Sequence, residues 1–306
     1  MSETTPVPVL VADSSCNQKA AAGFNTRLSH EGRAGARTYG FVNPPVSRGS
    51  TVLHATIDDR INKYTQKLEQ VLIYGRLGAE THYALENMIT DIEGGTRTQI
   101  VSTGLSAVTT TLLAYLKQGD HLFMSDSVSD DDWKRIRQTS FLYGQYASPD
   151  DSWLALRGLR TLAVRLRAQA QAALQVAQWL AKREEILQVL YPPLPGAPGH
   201  EIWKRDFTGA SSLFGIVFKS HYTVEATHAF VDNLKIFGIG LSWGGFESLV
   251  LVSTPVTRSI TGNKFGGCIV RIHIGLEDIV DLIADLEHGF AVLKEFTTRT
   301  QQEPAS

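Results

Sequence analysis

An α/β fold is expected for this chain on three observations. Short apolar runs suited to buried strands alternate with helical apolar periodicity, glycine-bearing turns join them, and one complete strand–turn–helix–turn–strand unit lies at 99–124. With 306 residues, 43% apolar and 20% charged, there is material for one large core or two ordinary ones. A formal net charge of −2 gives no electrostatic reason to expect nucleic acid or an anionic membrane as partner. No apolar run reaches the length of a membrane span. Residues 1–17 lack the basic start and apolar stretch of a signal peptide. Two distant cysteines, Cys16 and Cys268, point to a reducing, cytoplasmic compartment rather than a disulfide framework. The nine histidines show no His-x3-His spacing and there is no Cys-x2-Cys, so no metal site is expected.

Taken in order, residues 1–25 are rich in Ala, Ser, Thr and Pro and read as an arm. Asn43-Pro44-Pro45-Val46 is extended, because each proline restricts the residue before it. A helix is expected over 81–93, from Tyr83, Ala84, Met88 and Ile92, ending at Gly94-Gly95. Gln99-Ile100-Val101-Ser102 is a strand candidate, followed by a helix to Tyr115 and a strand at 121–124. Ser148-Pro149-Asp150-Asp151 starts a helix: serine caps, proline suits the first position, and the acids complement the helix dipole. Its stripe of Trp153, Leu156, Leu159, Ala163 and Leu166 extends the expected helix to about residue 186. The prolines of Tyr191-Pro192-Pro193-Leu194-Pro195-Gly196 break the chain's regular structure. Strands at 213–218, 248–253 and 269–274 then alternate with helices at 223–234 and 275–296, a separate α/β layer.

Four groups could carry chemistry. Ser102-Thr103-Gly104-Leu105-Ser106-Ala107 turns a strand into a helix N-terminus, where outward amides and the dipole favour a phosphate; an ordinary βα turn is the plainer alternative. In Tyr74-Gly75-Arg76 the arginine can grip a phosphate and the tyrosine adds a hydroxyl; a solvated arginine beside a core tyrosine is the alternative. Arg271 sits in the apolar run Cys268-Ile269-Val270-Arg271-Ile272-His273-Ile274 and needs an anionic partner, either a substrate carboxylate or a protein acid such as Glu277 or Asp278. His273 reads as a core histidine. Gly238-Ile239-Gly240-Leu241-Ser242-Trp243-Gly244-Gly245 has its third glycine out of register for a dinucleotide loop.

In combination these runs are specific. Asn25-Thr26-Arg27-Leu28, Gly40-Phe41-Val42-Asn43-Pro44-Pro45-Val46, Tyr74-Gly75-Arg76-Leu77-Gly78, the turn at 102–107, Ser148-Pro149-Asp150-Asp151, Arg157-Gly158-Leu159-Arg160-Thr161, Ser242-Trp243-Gly244-Gly245-Phe246-Glu247-Ser248 and Arg271-Ile272-His273-Ile274-Gly275-Leu276-Glu277 follow in this order. From about Asn25 to Phe296 the chain resembles the Cys/Met-metabolism family of pyridoxal-phosphate enzymes. Tyr-Gly-Arg at 74–76 and Ser-Trp-Gly-Gly at 242–245 favour its β-lyase branch over the γ-synthases and γ-lyases. The resemblance implies fold type I of the pyridoxal-phosphate-dependent transferases. It would have an arm at 1–58, a cofactor-binding large domain with a mostly parallel sheet at 59–165, and a smaller α/β domain at 166–306. It implies pyridoxal 5'-phosphate as cofactor and a homo-oligomer, a dimer of dimers (a homotetramer). It implies cleavage of the small amino-acid substrate cystathionine to homocysteine, pyruvate and ammonia, a transsulfuration step of methionine biosynthesis. Gly104 and Leu105 would give amides to the cofactor phosphate, and Tyr74 and Arg76 would reach the phosphate of a neighbouring subunit. Ser242 and Arg271 would hold the substrate α-carboxylate, with Trp243 beside it.

The resemblance is interrupted once. It stops at Met124-Ser125-Asp126-Ser127-Val128 and resumes at Ser129-Asp130-Asp131-Asp132-Trp133-Lys134-Arg135-Ile136-Arg137. About 90 residues of the family pattern are absent, roughly three βαβ units at about 30 residues each. The family's Schiff-base lysine, the acid on the pyridine nitrogen and the stacked aromatic ring belong to that stretch. Lys19, Lys63, Lys67, Lys117, Lys134, Lys182, Lys204, Lys219, Lys235, Lys264 and Lys294 offer no small-residue, Ser/Thr-bearing strand end to replace it. No catalytic residue is therefore identified, and the expectation is an inactive shortened copy of a carbon–sulfur lyase. The alternative is a non-catalytic remnant, or an oligomerisation partner of an intact paralogue.

Overall fold

The computed structural model describes residues 23–32, 43–120, 130–253 and 265–302, and the chain divides into two units, 1–163 and 164–306. The first unit contains α1 (Phe24–His30), α2 (Ile57–Thr65), a 3-10 turn (Gly75–Leu77), α3 (Glu80–Glu93), α4 (Gly104–Tyr115), α5 (Asp130–Leu142) and α6 (Pro149–Leu159). Local chemistry sets its helix ends. Gly94 closes α3 in the left-handed conformation, φ 66°, as the sequence pattern expects. Ser148 caps α6, its hydroxyl accepting from the Asp151 amide at 3.0 Å, with Pro149 at the first helical position. Leu28 of α1, Ala84, Leu85 and Met88 of α3, Leu156 of α6 and Ala163 form the apolar core of this unit.

Beside that core lies a buried charge. Arg137 of α5, with 1% of its side chain exposed, donates through Nη1 to Glu86 Oε1 of α3 at 3.2 Å and to Gln99 Oε1 at 2.8 Å. Its guanidinium lies over the rings of Trp133 and Phe141, 5.3 and 5.0 Å from their centroids. Nε and Nη2 have no hydrogen-bond partner. Taking this charge out of water is costly, and Glu86 is the group that offsets it.

Two expectations are corrected here. Gln99-Ile100-Val101-Ser102 forms no strand; among the described residues the first unit has only an isolated bridge, Thr51 with Tyr74. A parallel-sheet strand needs a neighbouring ladder to satisfy its backbone, and 99–102 has none. The strand expected at 121–124 lies outside the described residues. The helix expected from 148 to 186 is two helices, α6 and α7 (Leu162–Leu180), interrupted at Arg160-Thr161. Arg160 Nη1 donates to the Leu28 and Glu31 carbonyls at 2.8 and 2.6 Å, tying the break to the end of α1. A periodic stripe continues across such a break, so sequence periodicity does not reveal it.

The second unit continues with β1 (Ile186–Leu190), α8 (His200–Asp206), β2 (Leu213–Phe218), α9 (Val224–Asp232), β3 (Gly238–Ile239), β4 (Leu249–Ser253), β5 (Ile269–His273) and α10 (Ile279–Gln302). Its sheet runs β1-β2-β5-β4-β3, antiparallel except for the β3–β4 pair. Phe214, Ile216 and Phe218 alternate on β2 and Val270 and Ile272 on β5, which puts them on one face. There they meet Val176 and Leu180 of α7, Phe230 of α9 and Leu282, Leu286 and Phe290 of α10, all fully buried. The chain is thus mixed α/β, as its sequence predicts. α10 begins at Ile279 rather than near 275 because the residues before it are engaged: Gly275 N donates to Ser248 Oγ at 2.8 Å, and Leu276 N to the Phe246 carbonyl at 2.8 Å. Among the described residues no helix is long and apolar enough to cross a membrane, and no group of three or more His, Cys, Asp or Glu could hold a metal ion.

Replacing Glu86 by Ala is expected to cost about 3–5 kcal/mol in chemical denaturation, because Arg137 is left buried and uncompensated. The double replacement Glu86→Leu with Arg137→Met is expected to recover most of that loss. Equal instability of the single and double variants would show that the pair does not hold the first unit.

Candidate functional site

In the first unit, Thr103 caps α4, its Oγ1 accepting from Ser106 N at 3.0 Å. Gly104 and Leu105 follow as the first helical residues. Their amides have no acceptor among the described residues, and both residues are exposed. Apart from its chain neighbours and its own helix backbone, no atom of the described residues lies within 4 Å of where a Cβ on Gly104 would stand. The helix end is therefore open to an anion.

Tyr74 and Arg76 flank a fixed point. Gly75 is buried, its amide donates to the Ser50 carbonyl at 2.7 Å, and a Cβ there would lie 1.7 Å from the Gly49 carbonyl oxygen. Only glycine fits, so the chain passes beneath while both neighbouring side chains remain exposed. Arg76 Nη1 donates to the Phe141 carbonyl at 3.0 Å. Both residues line an open cleft of about 680 Å³, which does not include 102–107. The structure thus does not place these two phosphate-type groups in a common pocket.

In the second unit, β5 carries Arg271 and His273 on the sheet face opposite the core. Arg271 stands across from Gly215 on β2, which contributes no side chain, and from Leu251 on β4. Its Nη2 donates to the carbonyls of Gly240 and Ser242 at 2.8 and 3.0 Å, and its guanidinium lies 5.5 Å from the Trp243 ring centroid. Of the two protein acids weighed as its partner, Glu277 accepts from Ser248 N at 2.7 Å and Ser248 Oγ at 2.8 Å, and Asp278 makes no ion pair with it among the described residues. Arg271 therefore has no carboxylate partner among the described residues, and neutral carbonyls hold it in place. Ser242 adopts φ 68°, rare for a residue with a side chain, and Trp243 is 58% exposed. Such a strained, pinned loop beside an unpaired guanidinium suits carboxylate recognition.

Sequence reasoning missed the groups that hold this loop. His273 is fully buried. Gly244 N donates to its ring, 3.2 Å from Nε2, while Nε2 lies 3.3 Å from the Gly245 carbonyl and Nδ1 lies 3.0 Å from Ser212 Oγ. Gln169 of α7 donates from Nε2 to the Gly245 carbonyl at 2.7 Å. The alternation that puts His273 on the face of Arg271 was visible in the sequence; Gln169 carried no signal. Burial pushes the His273 imidazole below its ordinary value. The Gly245 carbonyl and Glu277 oppose that push, and Arg271 adds to it.

The family model described as Cys/Met metabolism PLP-dependent enzyme matches residues 25–132 and 127–291, in two pieces that meet at 127–132. Cystathionine beta-lyase MetC of Escherichia coli (strain K12) is 27% identical over 387 aligned residues, covering 88% of this chain and 98% of that protein. The L-alanine/L-glutamate racemase of Wolbachia pipientis wMel is 40% identical over 203 residues, 65% of this chain and 49% of that protein. The crystal structure of metB from Corynebacterium glutamicum superposes with a TM-score of 0.75 at 21% identity, covering 90% of this chain and 99% of that one.

Because the folded His273 stays neutral where the unfolded chain takes up a proton, the stability of the second unit should fall as pH drops from 6.5 through the lowered folded value, and be unaffected above 6.5. Melting curves across that range are expected to decline more steeply for the natural sequence than for His273→Gln. Parallel declines would exclude His273 as the source.

Proposed function

The chain belongs to the Cys/Met-metabolism family of pyridoxal-phosphate-dependent enzymes, and from that membership we propose that it is a cystathionine β-lyase by descent whose reaction centre is missing. The family's members are carbon–sulfur lyases and related enzymes of Cys/Met metabolism. In this reading the free amides of Gly104 and Leu105 receive the cofactor phosphate, and Tyr74 and Arg76 reach the phosphate held by a neighbouring subunit of a homotetramer. Arg271 takes the α-carboxylate of cystathionine, with Ser242 and Trp243 beside it. The 98% coverage of the β-lyase relative favours this over the racemase, of which the chain matches 49%.

Pyridoxal phosphate, when bound, supplies the electron sink for removing an α-proton and expelling a thiol. The phosphate end of such a site has its donors here, but the reacting end does not. A lysine that forms a Schiff base near neutral pH is normally desolvated, and no lysine among the described residues is buried. Lys63 pairs with Asp59, Lys67 lies over Tyr64, and Lys294 pairs with Glu184 and Glu185. No catalytic step is therefore derived through the cofactor.

The observation that carries the impaired reading is the break in the family match at 127–132. An alignment of 387 positions also exceeds the 306 residues available, so the relative has a stretch with no counterpart here. A second reading, partner to an intact relative, draws support from the exposed Tyr74 and Arg76, which would complete a neighbour's site.

Incubation with pyridoxal phosphate, borohydride reduction and peptide mapping are expected to give no stoichiometric adduct on any single lysine. Pyruvate release from cystathionine is expected to equal that of the cofactor alone. One fully modified lysine together with pyruvate production would sink the impaired reading. Restored or enhanced pyruvate release on mixing with an intact β-lyase carrying Tyr and Arg replacements at its own 74- and 76-equivalent positions would establish the partner role.

A further inference from the structure

The turn between α9 and β3 is built around one acid. Asp285 of α10 is buried, and its carboxylate accepts from three successive amides, Lys235 N and Ile236 N at 2.8 Å and Phe237 N at 3.3 Å. Among the described residues those amides have no other acceptor. Directly after them β3 enters the sheet: Gly238 N donates to the Ser248 carbonyl at 3.0 Å, and Gly240 N to the Val250 carbonyl at 3.3 Å. The Gly240 carbonyl in turn receives Arg271 Nη2. We propose that Asp285 is a positioning residue of the Arg271 site, fixing the entry to the loop at 240–248 and, through it, the guanidinium and the Trp243 ring.

A buried carboxylate is costly unless donors fill its oxygens, and amides bond an ionised acceptor more strongly than a neutral one. Three consecutive amides turned to one point need an acceptor in the same way. Leu282 and Leu286, on either side of Asp285 in α10, are fully buried in the core, so the carboxylate is presented from a rigid element. β3 has only two residues, Gly238 and Ile239, and lies at the sheet edge against β4 alone. Such a short, glycine-bearing edge strand specifies its own register weakly. The far end of the loop is held by Glu277 through Ser248. Asp285 supplies at the entry what Glu277 supplies at the exit. Without it Gly240 is free to shift, and a guanidinium held by carbonyls shifts with it. The inference rests on the reading of Arg271 as a carboxylate grip for its purpose, not for its geometry.

Amide hydrogen exchange of the full chain, read residue by residue by NMR without any ligand, tests it. In Asp285→Asn the amides of Lys235, Ile236 and Phe237, and also those of Gly240 and Gly244, are expected to exchange about tenfold faster or more, as loss of charge-assisted hydrogen bonds predicts. The amides of β2 and β5 are expected to keep their natural rates. The Trp243 indole resonance, identified with Trp243→Phe, is expected to move towards its position in Arg271→Met. Arg271→Met itself is expected to leave 235–237 protected. Acceleration confined to 235–237, with the Trp243 resonance unmoved, overturns the proposal and leaves Asp285 a local cap. Should β2 and β5 also exchange faster in Asp285→Asn, the same two readings decide on Asp285→Glu, which keeps the charge. The exchange pattern needs no cofactor, lysine or substrate, so it and the borohydride and pyruvate experiments can each fail alone.

Discussion

A guanidinium sealed from water is the constraint on which the first unit depends. Arg137 sits on the helix that follows the interrupted stretch, while Glu86 and Gln99, which receive its hydrogen bonds, precede it. In a low-dielectric interior such a group is either well paired or strongly destabilising, so the pairing fixes α5 against α3. Phe141 lies one helical turn further on, under the same guanidinium, and its carbonyl receives Arg76. The position of the phosphate-type arginine is thus set by a buried ion pair formed by residues far apart in sequence.

The second unit is held differently. Its helices cover one sheet face with fully buried aliphatic and aromatic side chains, and the buried Glu185 carboxylate is paired by Arg183 and by Lys294 of α10. That leaves the opposite face of β5 free for polar work. Arg271, His273, Gln169 and Glu277 each hold part of the loop at 240–248 or the residue that ends it. Arg271 and the loop it holds are thus built on residues of the second unit.

Much of this was legible in the sequence. The helix at α3 with its Gly94 end, the Ser148 cap, and strands β2, β4 and β5 follow from local rules, because caps and alternation act within a few residues. The break at Arg160-Thr161 was not legible, since its cause is a contact with carbonyls at Leu28 and Glu31. The strand expected at 99–102 fails for the complementary reason: a strand is stabilised by its neighbours, and local composition cannot supply them. The Gly75 position is intermediate. The motif drew attention to Tyr74 and Arg76, but the reason only glycine stands between them is the Gly49 carbonyl beneath.

The sequence by itself determined the α/β class, the family resemblance, the residues offered for phosphate and carboxylate, and the place of the interruption, all of which are properties of order and spacing along the chain. Only the tertiary structure decided that Arg271 has carbonyls rather than Glu277 around it, that His273 holds a loop, and that Asp285 receives the amides of the turn at 235–237. Those outcomes depend on distances between residues remote in sequence, and charge pairing and burial are set by distance.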